Sequence, residues 1–218
     1  MISLGIATLK EREMGFKKVL ESVYPQVDVV YAVLNNYLEV PDWLSSMDRV
    51  QPIVMQNQLG DAGKFMYAGM CEGDYISWDD DLLMPEGAVR YLLSGVKKYR
   101  GLVGFHGRKY LHPVISFKQW ADNYRCLNTV SDDVHVNLIG SGCCAYNTET
   151  MELKLSDFKL PNMADLYLSR AAAVQGVPMV VLKHRQGYLQ YLKPQGETIW
   201  QATRDFTEHT NILQSYVK

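Results

Sequence analysis

Three consecutive aspartates, Asp79, Asp80 and Asp81, follow directly on an apolar run in GDYISWDDDLLMPEG, residues 73–87. Adjacent carboxylates repel one another, and burying even one without a partner is costly, so the pattern asks for a positive neighbour. In extended backbone alternate side chains share a face, which turns Asp79 and Asp81 one way and Asp80 the other. Two carboxylates converging at a strand end suit a hard divalent cation, which prefers oxygen ligands and completes its shell with water and substrate phosphates. A bare D-D-D is equally compatible with a solvated turn that caps the next helix.

A second polar group lies upstream, in GDAGK, where Asp61 and Lys64 flank a glycine. A lysine at a helix start facing a loop can meet phosphate, aided by free backbone amides and the helix dipole. The glycine spacing is not that of a phosphate-binding P-loop, and Phe65 stands where Ser or Thr would be needed. Further along, Asp165 lies in PNMADLYLS, and His184 and Arg185 follow an apolar run. Neutral imidazole is a reasonable ligand for Mn²⁺, although a lone strand-end histidine is more often structural. His106, His112, His135 and His209 have weaker cases, and FHG and VHV set His106 and His135 inside apolar strands, where they read as core histidines.

These side chains need a scaffold, and the chain supplies alternating segments. Residues 2–8, 28–35, 49–56, 74–78 and 102–107 are short apolar or β-branched runs that read as strands, with Pro52 placing the third at an edge or a strand start. Between them, residues 11–23, 63–73 and 85–99 carry helical spacing, the second closed by Gly73 and the third opened by Pro85. Strand and helix in regular alternation predict an α/β fold, a mostly parallel central sheet with helices on its faces. Ligands of such sheets bind beyond the carboxyl ends of the strands, where the three aspartates lie. The second half is less regular: a glycine-interrupted strand over 134–147, a helix over 163–176, a last strand over 177–184 and a polar, aromatic tail. Trp120, Tyr188 and Trp200 lie in irregular regions suited to lining an acceptor cleft.

The chain has 218 residues, of which 47% are hydrophobic and 21% charged, so one domain with a sizeable core is the economical reading. A formal net charge of −2 without a basic run offers no broad nucleic-acid or membrane surface, although residues 106–120 could form a local basic patch. Neither a signal-peptide pattern nor a membrane-length apolar run is present, so a cytoplasmic location is expected. Cys71, Cys126, Cys143 and Cys144 show no zinc spacing and are expected to be reduced.

The ordered combination of ISLGIATLKERE, LESVYPQVDVVYAVLNN and NQLGDAGKFMYAGMCEGDYISWDDDLLMPEG resembles the nucleotide-sugar glycosyltransferases of the GT-A fold, family-2-like, with a D-x-D motif. The likeness covers residues 2–95 well and the rest more loosely. It implies a single GT-A domain over residues 1–218, with a nucleotide-sugar-binding half over about 1–105 and an acceptor-binding half with the C-terminal tail over about 106–218. It further implies that Asp79 and Asp81 hold Mn²⁺ or Mg²⁺ on the donor diphosphate, with His184 completing the shell. Thr8, Arg12, Asn35, Asp61, Lys64, Asp80 and Arg185 then meet the donor, and Asp165 is the candidate catalytic base. Where the family often reads the base with an aspartate, this chain has Asn35 and Asn36, whose amides both donate and accept; UDP is the favoured nucleotide. The implied activity is hexosyl transfer from a UDP-sugar to a glycan, a lipid-linked precursor, a protein or a modified DNA base. A sugar nucleotidyltransferase and a non-catalytic nucleotide-sugar-binding module are the alternatives. The first of these usually has a glycine-rich basic N-terminal loop, which ATLKERE lacks.

Overall fold

The first four apolar runs form strands β1 (Ile2–Leu9), β2 (Val29–Asn35), β3 (Val50–Met55) and β4 (Asp74–Asp79), all parallel, in the spatial order β3-β2-β1-β4. The structure is a computed structural model that describes residues 1–193 and 198–218. Further along the chain follow β5 (Leu82–Leu83), β6 (Leu102–Gly104), β7 (Gly107–Lys109), β8 (Asp122–Tyr124), β9 (Val134–Val136), β10 (Leu138–Ile139), β11 (Cys143–Asn147), β12 (Met179–Val181) and β13 (Gln190–Tyr191). Beyond β4 the sheet continues as β11-β6-β12-β9, giving eight strands. β11 runs antiparallel to both β4 and β6, and β9 antiparallel to β12, so the sheet is mixed and its parallel character is strongest in the N-terminal half. β3 is an edge strand, which lets Pro52 sit in it without breaking a central ladder. The glycine-interrupted run over 134–147 resolves into three strands, β9, β10 and β11, the second of which leaves the main sheet to pair with β7.

Helices α1 (Glu13–Val23), α2 (Asp42–Ser45), α3 (Ala88–Tyr99), α4 (Ala164–Val174), α5 (Ile199–Ala202) and α6 (Thr207–Gln214) complete the described elements, with several 3-10 turns. Side chains alternate across the strands, and the two faces build two cores. Leu4, Ile6, Ile76 and Trp78 pack with Phe16, Val19 and Leu20 of α1 and Leu92 and Val96 of α3. On the other face Tyr75, Cys144 and Tyr146 pack with Phe65 and with Leu168 and Ala172 of α4. The adjacent cysteines are explained by this alternation: Cys143 belongs to the first core, Cys144 to the second, and all four cysteines are free. A third cluster joins Tyr110, Val114 and Phe117 to Leu213, Tyr216 and Val217, tying the C-terminus onto the second half.

One expected helix does not form. Residues 63–73 are replaced by two 3-10 turns, Gly60–Phe65 and Ala68–Met70. The carbonyl of Lys64, which an α-helix would bond to residue 68, instead accepts a 2.6 Å hydrogen bond from the Tyr75 hydroxyl. Gly5 permits this: a Cβ there would lie 1.8 Å from the Lys64 carbonyl oxygen and 2.3 Å from the Tyr75 hydroxyl. No helix among the described residues is long and apolar enough to cross a membrane.

Candidate functional site

The carboxyl ends of β1, β2 and β4 open into a cleft of about 690 Å³. Thr8 and Arg12 reach it from the end of β1 and the turn behind it, Asn35 from the end of β2, and Asp79, Asp80 and Asp81 from the end of β4. Asp61 and Lys64 enter from the 3-10 turn, and Asp165 from the first turn of α4. A parallel sheet places these ends on one rim, which is why residues more than 150 positions apart converge.

Each carboxylate has a different set of partners. Asp80 is buried; its Oδ2 accepts a 2.7 Å hydrogen bond from Thr8 Oγ1, and its Oδ1 meets Arg12 Nη1 at 3.3 Å. Burial raises the Asp80 carboxyl above its ordinary range, against the pull of Thr8 and Arg12. Asp79, with its side chain 42% exposed, forms an ion pair with Lys64, which is only 3% exposed. Burial works to discharge Lys64, but Asp79 and Asp61 outweigh it and hold the ammonium firmly protonated. A Cβ at Gly142 would lie 1.9 Å from Asp79 Oδ2, so only glycine leaves room for the carboxylate there. Asp81 accepts no side-chain hydrogen bond among the described residues. Burial, then repulsion from Asp79 and Asp80, push it up to about 7.

Asp61 accepts from the backbone N–H of Ala164 at 3.2 and 3.3 Å, capping the amino end of α4 from 103 residues away. Burial pushes it up to about 7, opposed by Lys64 and reinforced by Asp165. Asp165 Oδ1 accepts from both the backbone N–H and the hydroxyl of Ser141, each at 2.7 Å. The Ser141 carbonyl in turn accepts from Ser77 Oγ of β4 at 2.6 Å, locking the base candidate to the strand that carries the aspartates. Asn35 is 2% exposed and its Oδ1 has no partner, as is the Nε of Arg12.

Two expected residues are not brought to this cleft. His184 is buried, with Nδ1 2.7 Å from the Leu182 carbonyl and Nε2 3.4 Å from that of Arg125, and its ring stands edge-on to Phe105. With both nitrogens against backbone carbonyls, it holds the β12 end in place and does not join the aspartates. Arg185 is exposed on the following turn, outside the cleft. His135 is also exposed, against the expectation of a core residue. Tyr188 packs on Phe105 and Tyr91 in the first core, leaving Trp200 as the tryptophan that lines the cleft.

Sequence reasoning missed several lining residues. Arg108, Phe117, Phe206 and His209 contribute a wall that is assembled by folding the C-terminal tail over residues 108–120. Phe117 N–H donates to Thr210 Oγ1 at 3.1 Å and Gln214 Nε2 to the Val114 carbonyl at 2.9 Å, contacts spanning 93 and 100 residues. The aromatic inventory was the available signal, without a partner to point to.

Among the described residues no group of three or more His, Cys, Asp or Glu side chains is arranged to hold a metal ion by itself. Five carboxylates nevertheless share the cleft with Arg12, Lys64 and Arg108. Set against known proteins, the chain matches no protein-family model, and no curated protein is similar to it.

Proposed function

We propose that the protein is a GT-A type glycosyltransferase that moves a sugar from a nucleoside-diphosphate donor, UDP-linked in the favoured case, to an acceptor hydroxyl. The observation that carries this reading is the single cleft at the strand ends that gathers Thr8, Arg12, Asn35, Asp61, Lys64, the aspartate triplet and Asp165. Asn35, with an amide oxygen lacking a partner, is suited to a base edge. Arg12 and Lys64 supply cations for a diphosphate, and the ion pairs they already make fix their positions before the ligand arrives.

A divalent cation fits the donor set. Asp81 makes no ion pair among the described residues, and burial and the neighbouring Asp79 and Asp80 push its carboxyl up against the pull of Arg12 and Lys64, a crowding that a bound cation would relieve. Asp79 and Asp81 would hold Mn²⁺ or Mg²⁺, with water and the donor's oxygens filling the remaining positions. Such an ion acts as a Lewis acid on the leaving diphosphate. The chain's own part of the chemistry is at Asp165. Ser141 occupies its Oδ1 twice, leaving Oδ2 as the oxygen to take the acceptor hydroxyl's proton. In the inverting form of the reaction the acceptor oxygen bonds to the anomeric carbon as the bond to the diphosphate oxygen breaks. The nucleoside diphosphate leaves, and the proton resides on Asp165.

Incubation with Mn²⁺ and a panel of nucleotide sugars tests this. Release of nucleoside diphosphate that disappears in Asp81→Ala is the expected result. Pyrophosphate release would mark a nucleotidyltransferase, and thermal stabilisation by UDP and metal without turnover would mark a binding module.

A further inference from the structure

Away from the aspartates, the cleft wall is a set of aromatic rings around one guanidinium. The Arg108 guanidinium carbon lies 4.7 Å from the ring centroid of Trp120, 5.1 Å from Phe117 and 5.2 Å from Trp200. Phe117 stacks on Phe206 at 5.5 Å and packs on His209 at 4.9 Å. The rings hold the guanidinium by cation–π contact, and of its five N–H donors the Tyr110 hydroxyl engages one, leaving others for hydrogen bonding. No carboxylate among the described residues pairs with Arg108, and its Nε is buried without a partner. His209 is 8% exposed, lines the same cavity, and its Nδ1 is likewise unpartnered. Arg108 and His209 both line the cleft, so a cation without a carboxylate partner and an imidazole stand on one wall, where a ligand carrying an anion and a hydroxyl would meet both.

We infer that this wall recognises an acceptor saccharide bearing an anionic substituent, a carboxylate or a phosphate. The Arg108 fork takes the anion, His209 bonds a sugar hydroxyl, and Trp200, 48% exposed, offers a ring face to the sugar. The inference rests on the glycosyltransferase reading, whose acceptor it narrows. A nucleic-acid strand fits less well, because a phosphate backbone needs several cations in a row. The other cations of the cleft, Arg12 and Lys64, stand on the donor rim beside Asp80 and Asp79 and are not in line with Arg108's ring-lined wall. One guanidinium without a carboxylate partner matches one anionic group.

Trp120 and Trp200 touch the guanidinium, so intrinsic fluorescence reports on this wall directly. The protein, without nucleotide or metal, is titrated with glucose, glucuronate and glucose 6-phosphate. One of the two anions is expected to bind at least tenfold more tightly than glucose. Arg108→Gln should abolish that preference, Arg108→Lys, which keeps the charge but not the fork, should weaken it, and Lys109→Gln, an exposed neighbour on β7, should leave it intact. Far-UV circular dichroism checks that each variant is folded. Equal binding of all three sugars, or a preference that survives Arg108→Gln, overturns the inference. So does tighter binding of a single-stranded oligodeoxynucleotide with a steep salt dependence, which would make the acceptor a nucleic acid. UDP-induced thermal stabilisation is measured separately, so failure of the donor reading is distinguished from failure at this wall.

Discussion

Replacing Lys64 with Met removes one ammonium and little else, because the Lys64 carbonyl stays anchored by the Tyr75 hydroxyl. The consequence can be worked from the ion pair. Two unit charges about 4 Å apart attract by about 4 kcal/mol at the effective dielectric of a protein surface. Asp79 is 42% exposed, so water recovers part of that when the partner is lost, and Met is easier to bury than an ammonium. A net loss of about 2–3 kcal/mol remains. In a chain of this size that corresponds to a fall in Tm of about 5–10 °C. Mn²⁺ should then act more strongly on the variant than on the parent, since no ammonium competes for Asp79. A ligand at a hundred times its Kd adds about 2.7 kcal/mol, enough to restore most of the deficit. Thermal melts of both proteins with and without Mn²⁺, in the absence of nucleotide, read both effects. A variant that melts within about 1 °C of the parent would refute the account of Lys64 as the counter-charge of the rim. A Mn²⁺ shift no larger than the parent's would refute the shared cation position.

Gly142→Ala places a Cβ where Asp79 Oδ2 now lies, 1.9 Å away, so the carboxylate must rotate off Lys64; UDP affinity in Mn²⁺ should fall at least about tenfold, or 1.4 kcal/mol, by calorimetry. Asp165→Asn keeps an oxygen for Ser141 but cannot take a proton, so transfer should drop by about 10²–10⁴ while UDP-induced stabilisation persists in the thermal melt. Beside the edge strand β9, burial acts to raise Asp133, yet Lys98, the Lys183 amide and the Tyr99 hydroxyl hold it down to about 2. A carboxyl depressed in the folded state stabilises above its unfolded pKa of about 3.9, and that contribution disappears as pH falls toward 2. Urea titrations should therefore show Asp133→Asn weaker than the parent by about 1 kcal/mol at pH 7, with the gap closing between pH 4 and pH 2.

What the sequence disclosed and what it hid divide along contact range. β1, β2 and β4 were legible because strands buried on both faces are largely apolar runs, and the rim residues Thr8, Asn35 and Asp79 follow directly from where those runs stop. The stretch 63–73 was misread as a helix because its apolar spacing is helical. The decisive competitor, the Tyr75 hydroxyl on the Lys64 carbonyl, comes from a neighbouring strand and leaves no local trace. His184 shows the same limit from the other side. A histidine after an apolar run looks available for a metal, yet its ring folds back onto the carbonyl two residues earlier and the Arg125 carbonyl across the chain.

The least legible part is also where the acceptor reading rests. Arg108 and His209 are 101 positions apart and acquire a common environment only when α6 docks on residues 110–117. The donor rim, by contrast, is held by the sheet itself: Ser77 of β4 fixes Ser141, which fixes Asp165, while Asp61 fixes the amino end of the helix that carries it. A cleft whose donor side is braced by strands and whose acceptor wall is supplied by a docked tail separates the two demands physically. The charges that would meet a diphosphate are set by the central sheet, whereas acceptor choice can change through the tail and the 108–120 segment without disturbing a single strand.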